Sequence, residues 1–252
     1  HELFWEPDGT FPNHEANPLK TETLADLQKK IAEVKADVGI ALDGDADRIG
    51  LVDEKGEIIR ADQIIAMLAH VLLPGNIGDA VTYNVSCGSV APEEIRASGG
   101  VPVMTPTGHA LIKPILRANG GVFGGELSGH FYFREFFGAE NTDYVMLLAL
   151  QLLSRQGKPL SELVAPFRRY AHSGELNFKV SDARASMAAI RDKYAPEAAS
   201  ITEIDGLRLD FGDWWCSIRA SNTEPLLRLN VEAATREMME EKKTEIVSLI
   251  TA

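Results

Sequence analysis

The residues able to do chemistry fall into four groups along the chain. The densest is Asp43-Gly44-Asp45-Ala46-Asp47-Arg48, which follows the apolar run Val38–Leu42. Three carboxylates at alternate positions repel one another. A tight loop that gathers them needs a compensating cation, and an all-oxygen donor set suits Mg²⁺. Gly44 and Ala46 keep the loop small enough to wrap an ion. A solvated acidic turn is the plainest alternative. A calcium loop is another: Asp43, Asp45 and Asp47 would take its positions 1, 3 and 5 and Glu54 its position 12. Against that, Arg48 stands where the sharp turn requires Gly, and the preceding segment is of strand type.

The second group is Arg219-Ala-Ser221-Asn222-Thr223-Glu-Pro, with Arg228 shortly after. Arg supplies planar bidentate donors, and a turn rich in Ser, Asn and Thr aims backbone N–H groups inward, which together fit a phosphate pocket. The third is Gly124-Gly-Glu126-Leu-Ser128-Gly-His130, where Glu126 and Ser128 can face one way and read adjacent sugar hydroxyls. The fourth is Thr105-Pro-Thr107-Gly108-His109 with Lys113 one helical turn later. A His and a Lys at a helix start can hold an anion or move a proton. Each of these three also reads as an ordinary polar loop or solvated surface.

The elements that must position these groups alternate between strand and helix, which argues for α/β units. A helix is expected over Thr21–Lys35, where Leu24, Leu27, Ile31 and Val34 recur at three- and four-residue spacing. Val38–Leu42 is a strand, and Ile49–Val52 with Glu57–Ile59 form a hairpin around Lys55-Gly56. Helices follow at Ala61–Leu73, Pro92–Ala97, Ala110–Asn119, Asn141–Arg155 and Ser161–Phe167. Strands are expected at Ala80–Val85 and Val101–Met104, with Gly121–Gly124 leading into another. Past residue 170 the pattern changes to strands at Glu175–Val180, Ser200–Ile204, Leu207–Phe211, Trp214–Arg219 and Leu226–Val231 beside two helices, Ala183–Tyr194 and Thr235–Ile250. That is an α+β module. Three parts result: 1–55, 56–169 and 170–252. The first is too small to close a core alone.

Composition removes several function classes. The 252 residues carry 37 acidic and 25 Lys or Arg side chains, a net charge of −12, so general electrostatic binding of nucleic acid is not expected. The longest apolar runs, Ile64–Leu73 and Tyr144–Leu153, fall short of the roughly 20 residues of a membrane span. Cys87 and Cys216 are far apart and form no disulfide framework. His1-Glu-Leu-Phe-Trp5 has neither the basic start nor the apolar core of a signal peptide, and a start other than Met suits a piece of a longer polypeptide.

In this order and spacing the four groups, with Pro7-Asp-Gly-Thr-Phe-Pro-Asn-His14 and Asn17-Pro18, resemble the α-D-phosphohexomutase superfamily, closest to its bacterial phosphomannomutase/phosphoglucomutase branch. The likeness covers nearly the whole chain. It implies an α/β fold: two mixed α/β units, the first partial, then a C-terminal α+β domain with an antiparallel sheet. In family terms, 1–55 is part of domain 2 with the metal loop, 56–169 is domain 3, and 170–252 is domain 4. The family interconverts hexose 1- and 6-phosphates through a phosphoserine and a bisphosphate intermediate. By resemblance Asp43, Asp45 and Asp47 hold Mg²⁺, and Arg48, His109 and His130 are catalytic. Thr107, Gly108, Lys113, Glu126 and Ser128 would meet the sugar phosphate. Arg219, Ser221, Asn222, Thr223 and Arg228 would grip the phosphate that is not reacting.

Two departures from the family pattern matter. Its catalytic serine motif and first-domain Lys are absent, and Asn13-His14-Glu15-Ala16-Asn17-Pro18 lacks the serine. Ser86 stands where some relatives place a sugar-contacting Lys. The isolated chain is therefore expected to be inactive as a mutase and to need the N-terminal domains of the same enzyme. Hexose phosphates are its expected ligands, without nucleic acid or membrane, in the cytoplasm. Rival readings are a non-catalytic phosphosugar- and Mg²⁺-binding module, a phosphoglucosamine mutase piece, and an aspartyl-nucleophile phosphohydrolase. In the last, Asp43 would attack phosphorus and Asp45 act as acid/base, but Asp47 stands where Thr or Val is usual.

Overall fold

A computed structural model describes residues 1–220 and 226–251, which form two units: His1–Val103 with Gly108–Phe167, and Met104–Thr107 with Arg168 onward. In the first unit a short 3₁₀ turn (Thr21–Leu24) runs into helix α1 (Ala25–Val34). α1 lies on an antiparallel sheet of β1 (Val38–Leu42), β2 (Ile49–Asp53) and β3 (Ile58–Ile59), in that order. The three- and four-residue spacing of Leu24, Leu27 and Ile31 puts them on one face, against Val52, Ala41 and Ile58. β1 pairs only with β2 within this sheet. A cleft of about 780 Å³ is lined by β1 residues, by Phe4, Trp5, Phe11 and Pro12, and by Asp43 and Gly44.

The rest of this unit is built on a five-stranded mixed sheet. Its members are β4 (Ala80–Asn84), β5 (Val101–Thr105), β6 (Phe123–Gly125), β7 (Phe131–Phe133) and β8 (Ala139–Glu140), in the order β5-β4-β6-β7-β8. β4 and β6 are parallel, so the chain must cross over between them. It does so through α3 (Val90–Ala97), β5 and α4 (His109–Ala118). α2 (Ala61–Leu72) is buried along most of its length, which explains its near-continuous apolar sequence. α5 (Thr142–Gln156) starts at Asn141, whose side chain accepts the Tyr144 N–H at 2.8 Å, and stops at Gly157 in the left-handed region. α6 (Leu160–Val164) closes the unit.

In the second unit β9 (Ala171–His172), β10 (Leu176–Lys179), β11 (Ser200–Thr202), β12 (Leu207–Asp210), β13 (Trp214–Ala220) and β14 (Leu226–Ala233) form one antiparallel sheet. The main path is β10-β14-β13-β12-β11, and β9 pairs the far end of β14. Strand alternation sends Leu207, Leu209, Cys216, Ile218, Leu227, Leu229 and Val231 into one core with residues of α7 (Ala183–Tyr194) and α8 (Arg236–Ile250). The alternate positions of β12, β13 and β14 include Arg208, Trp215, Ser217, Arg219, Arg228, Asn230 and Glu232.

The expected α/β units followed by an antiparallel α+β module are present. Among the described residues, no helix is long and apolar enough to cross a membrane, and the two cysteines are buried and form no disulfide. The differences are local. The helix expected from Thr21 begins as a 3₁₀ turn, and α3 starts two residues before Pro92, because proline is tolerated in a first turn. β7, β8 and β9 were not expected. At two or three residues they are too short to show an alternation, and Phe131-Tyr132-Phe133 is buried on both faces.

Candidate functional site

The acidic loop joins β1 to β2. The β1–β2 hairpin returns the chain, so Asp43 N–H bonds Arg48 C=O at 3.3 Å and the loop closes on itself. Asp43, nearly fully buried, accepts the Arg48 N–H on Oδ1 at 3.1 Å and Arg48 Nε on Oδ2 at 2.6 Å. Ala46 takes a φ of 59°, an uncommon left-handed conformation for a residue with a Cβ, and its carbonyl is anchored by the Thr142 hydroxyl at 2.7 Å. The result brings one carboxylate oxygen each from Asp43, Asp45 and Asp47 within 4.8 Å of one another. Among the described residues this is the group of acidic or His/Cys side chains that could hold an ion. Burial raises the pKa of Asp47, and the charges of Asp43 and Asp45 add to it, while His130 and Arg48 pull the other way. An all-oxygen donor set whose members repel one another fits a hard divalent cation such as Mg²⁺.

The Gly-rich loop after β6 lies against this one. Arg48 and His130 form an isolated antiparallel bridge, and Ile49 N–H donates to Gly129 C=O at 3.1 Å. Gly129 has a φ of +88°, and a Cβ there would stand 2.9 Å from the Ile49 carbonyl, so only glycine allows the approach. His130 is placed between the two loops. Its Nε2 lies 3.4 Å from Asp47 Oδ1, and its Nδ1 lies 2.7 Å from Ser128 Oγ. Leu127 N–H is pinned to Asn84 Oδ1 at 3.0 Å. Glu126 is 1% exposed, with Oε1 accepting the Tyr132 hydroxyl and Oε2 accepting the Gly108 N–H at 2.9 Å.

His109 and Lys113 sit one turn apart at the start of α4, as their spacing predicts, and converge on Glu140 of β8. His109 Nδ1 is 3.4 Å from Glu140 Oε1, and the Lys113 ammonium pairs with Oε2. Burial works to raise the Glu140 pKa. Hydrogen bonds from Lys113 and its own backbone, with the charges of Lys113 and His109, more than offset this and hold it below the usual carboxylate range. Thr107 belongs to the second unit, where its N–H donates to Asp205 at 3.0 Å. Ser86 is buried with its hydroxyl unpartnered, and nothing in the structure gives it a role.

In the second unit Arg219 on β13 and Arg228 on β14 are direct cross-strand neighbours. Like charges opposite one another are unfavourable. Glu175 relieves them, with Oε2 at 3.5 Å from Arg219 Nη2 and Oε1 at 3.2 Å from Arg228 Nη1. Both Nε atoms are buried and have no hydrogen-bond partner among the described residues. Ser221, Asn222 and Thr223 lie outside the described residues.

The structure thus gathers Asp43, Asp45, Asp47, Arg48, Glu126, Ser128 and His130 in one unit, with Gly108 bonded to Glu126. It pairs Arg219 with Arg228 in the other. Tyr132, Glu140, Asn84 and Glu175 carry little signal in their own stretch of sequence, because their importance comes from the partner each holds. The one available signal was Tyr132, a polar-tipped aromatic two residues after His130.

Comparison with known proteins gives one answer throughout. Residues 2–56, 60–170 and 175–249 match the family models described as phosphoglucomutase/phosphomannomutase alpha/beta/alpha domain II, alpha/beta/alpha domain III and C-terminal domain. The chain is 37% identical over 97% of its length to a phosphomannomutase of Methanocaldococcus jannaschii, and 40% identical over 98% of its length to a protein of Xanthomonas campestris named as phosphohexose mutases. These matches cover 54% and 55% of those proteins, so the chain spans about half the length of the curated relatives it matches. A crystal structure of a phosphoglucomutase/phosphomannomutase family protein from Burkholderia thailandensis superposes with a TM-score of 0.89 at 32% identity, over 99% of this chain and 54% of that one.

Proposed function

The chain belongs to the phosphoglucomutase/phosphomannomutase family, and from that premise we propose that it carries the metal, sugar and phosphate sites of a phosphohexomutase. The reaction we assign is interconversion of hexose 1-phosphate and hexose 6-phosphate, of mannose or glucose, through a phosphoserine and a bisphosphate. Residues 1–55 would be part of domain 2, 56–169 domain 3 and 170–252 domain 4. The phosphoserine would come from N-terminal domains of the same enzyme.

The observation that carries this reading is the junction of the acidic loop with the Glu126–His130 loop. One loop can hold a divalent cation and the other can hold hydroxyls, and His130 bridges them from Asp47 to Ser128. Asp43, Asp45 and Asp47 would hold Mg²⁺, which when bound offsets charge on a transferring phosphoryl group. Arg48, fixed by Asp43, would present its remaining guanidinium N–H groups to that phosphoryl. Glu126 and Ser128 would grip sugar hydroxyls, a contact that survives when the two phosphates exchange places. His130, in contact with Ser128, and His109, oriented by Glu140, are placed to take or return a hydroxyl proton. Thr107, Gly108 and Lys113 would border the sugar phosphate. Arg219 and Arg228, with Ser221, Asn222 and Thr223, would hold the non-reacting phosphate, and remote binding of this kind positions the reacting end.

The test is calorimetric titration of the chain with glucose 6-phosphate, with and without Mg²⁺. Binding is expected in wild type and weakened about tenfold or more in Arg219→Ala, the scale of one charge-assisted hydrogen bond. A coupled mannose 1-phosphate assay on the same chain should show no turnover. Absence of sugar-phosphate binding, or turnover without the serine, would overturn the assignment.

A further inference from the structure

Glu126 is a carboxylate almost wholly removed from water, which is costly unless donors replace the water. It has two: the Tyr132 hydroxyl on Oε1 and the Gly108 N–H on Oε2, the latter at 2.9 Å. One donor on each oxygen fixes the plane of the group and leaves acceptor capacity on both oxygens. Tyr132 is itself fully buried, and nothing about filling that volume requires a hydroxyl. Its ring is located from several sides. On β7 it pairs Gly124 on one edge and Glu140 on the other. The His130 ring stacks at 6.4 Å with planes 12° apart, and the Lys113 ammonium lies 5.6 Å from its centroid. The ring therefore touches both the histidine of the sugar loop and the lysine of α4, while its oxygen aims at Glu126.

We infer that Tyr132 is a positioning residue for sugar recognition: its hydroxyl orients the Glu126 carboxylate toward the hexose hydroxyls. This rests on the sugar-binding role proposed for Glu126. The hydroxyl is a dependable donor, because burial first and the neighbouring Glu126 charge second push its pKa far above the ordinary tyrosine value. Without it Glu126 keeps one donor and can rotate about its last side-chain bond. The group that should read two hydroxyls is then no longer held at the angle that reaches both.

The experiment titrates glucose 6-phosphate and inorganic phosphate separately into wild type, Tyr132→Phe, Glu126→Gln and the double variant, with a thermal melt of each. Tyr132→Phe keeps the ring and removes only the donor. Wild type is expected to prefer the sugar phosphate. Tyr132→Phe should lose about tenfold in glucose 6-phosphate affinity while inorganic phosphate stays within about twofold, the scale set by one hydrogen bond to a charged group. The double variant should bind no more weakly than Glu126→Gln alone, because the hydroxyl acts through that carboxylate. If wild type shows no sugar preference, or Glu126→Gln retains it, the role of Glu126 fails and the inference with it. If Glu126→Gln abolishes the preference but Tyr132→Phe does not change it, the inference alone is overturned. It is equally overturned if Tyr132→Phe melts early and loses inorganic phosphate too, since the hydroxyl would then be structural.

Discussion

Asp43 and Glu126 each rest on two donors at short range, whereas Arg219 and Arg228 share a single carboxylate at 3.2–3.5 Å and leave both Nε atoms unpartnered among the described residues. The first arrangement is preorganised: the angle of each carboxylate is set before any ligand arrives. The second is loosely held and rich in unspent donors. A site that must discriminate metal geometry and hydroxyl placement gains from the first kind of construction. A site that must accept a phosphate presented in more than one orientation gains from the second, since guanidinium donors can be satisfied from several directions. The two units therefore divide the proposed work into reading shape and supplying charge.

The hardest blow to that division is Asp43→Asn. The amide keeps the volume but withdraws the charge that pairs with Arg48 and one oxygen from the cation set. Magnesium affinity measured by calorimetry should fall about tenfold or more, as for other changes in the immediate support of a metal site. Urea unfolding should show a loss of about 2 kcal/mol, less than the roughly 3–5 for breaking a fully buried pair, because Arg48 retains contact with water. Unchanged magnesium binding would mean that this loop is an ordinary acidic turn.

A smaller effect of opposite sign is expected in the C-terminal unit from Glu175→Gln. Glu175 occupies terminal N–H groups of both arginines, so a phosphate bound as proposed would have to compete with it. Removing its charge should tighten inorganic phosphate binding about two- to fivefold, within the range of a partly exposed ion pair. The same change should cost less than about 1 kcal/mol of stability, from two like charges left opposite one another. Weaker phosphate binding in this variant would show that Glu175 positions the arginines and does not compete for them, and the contrast between the units would blur.

Much of this was legible in the residues. The acidic loop, the Gly-rich loop, the helix-start His109 and the arginine strand announce themselves because their chemistry is local: neighbours in sequence are neighbours in space. The long elements were legible for the same reason, through the spacing of Leu24, Leu27 and Ile31 or the alternation of Leu207 and Leu209. What the residues conceal is pairing across distance. Glu140 matters because β8 brings it to His109 and Lys113, and Tyr132 because β7 brings it beside the strand that leads to Glu126. Both strands are so short that neither has a pattern of its own, and each is defined by the partner it finds.

The subtlest test asks whether the preorganised unit depends on stitches far from its chemistry. Glu54, the first residue after β2, accepts the Ser161 N–H at 3.1 Å and the Ser161 hydroxyl at 2.5 Å, tying the β2–β3 turn to α6. Burial works to raise its pKa, but these hydrogen bonds outweigh it, and the net shift is downward. A carboxyl whose folded value lies below its unfolded one stabilises the fold fully above the unfolded value, about 4.3 for glutamate, and that contribution is lost as pH falls through the lower folded value. The protection of the α6 amides, taken as the observed exchange rate relative to the intrinsic rate at each pH, should therefore fall on acidification through that window. In Glu54→Gln the α6 amides should exchange faster at neutral pH and respond less to acid, with a difference below about 1 kcal/mol, since the bond to a charged group is replaced by one to a neutral amide. The amides of β13 and β14, in the other unit, should not respond to this substitution. If they do, the two units share one cooperative transition, and the contrast drawn here is one of local geometry and not of independent stability.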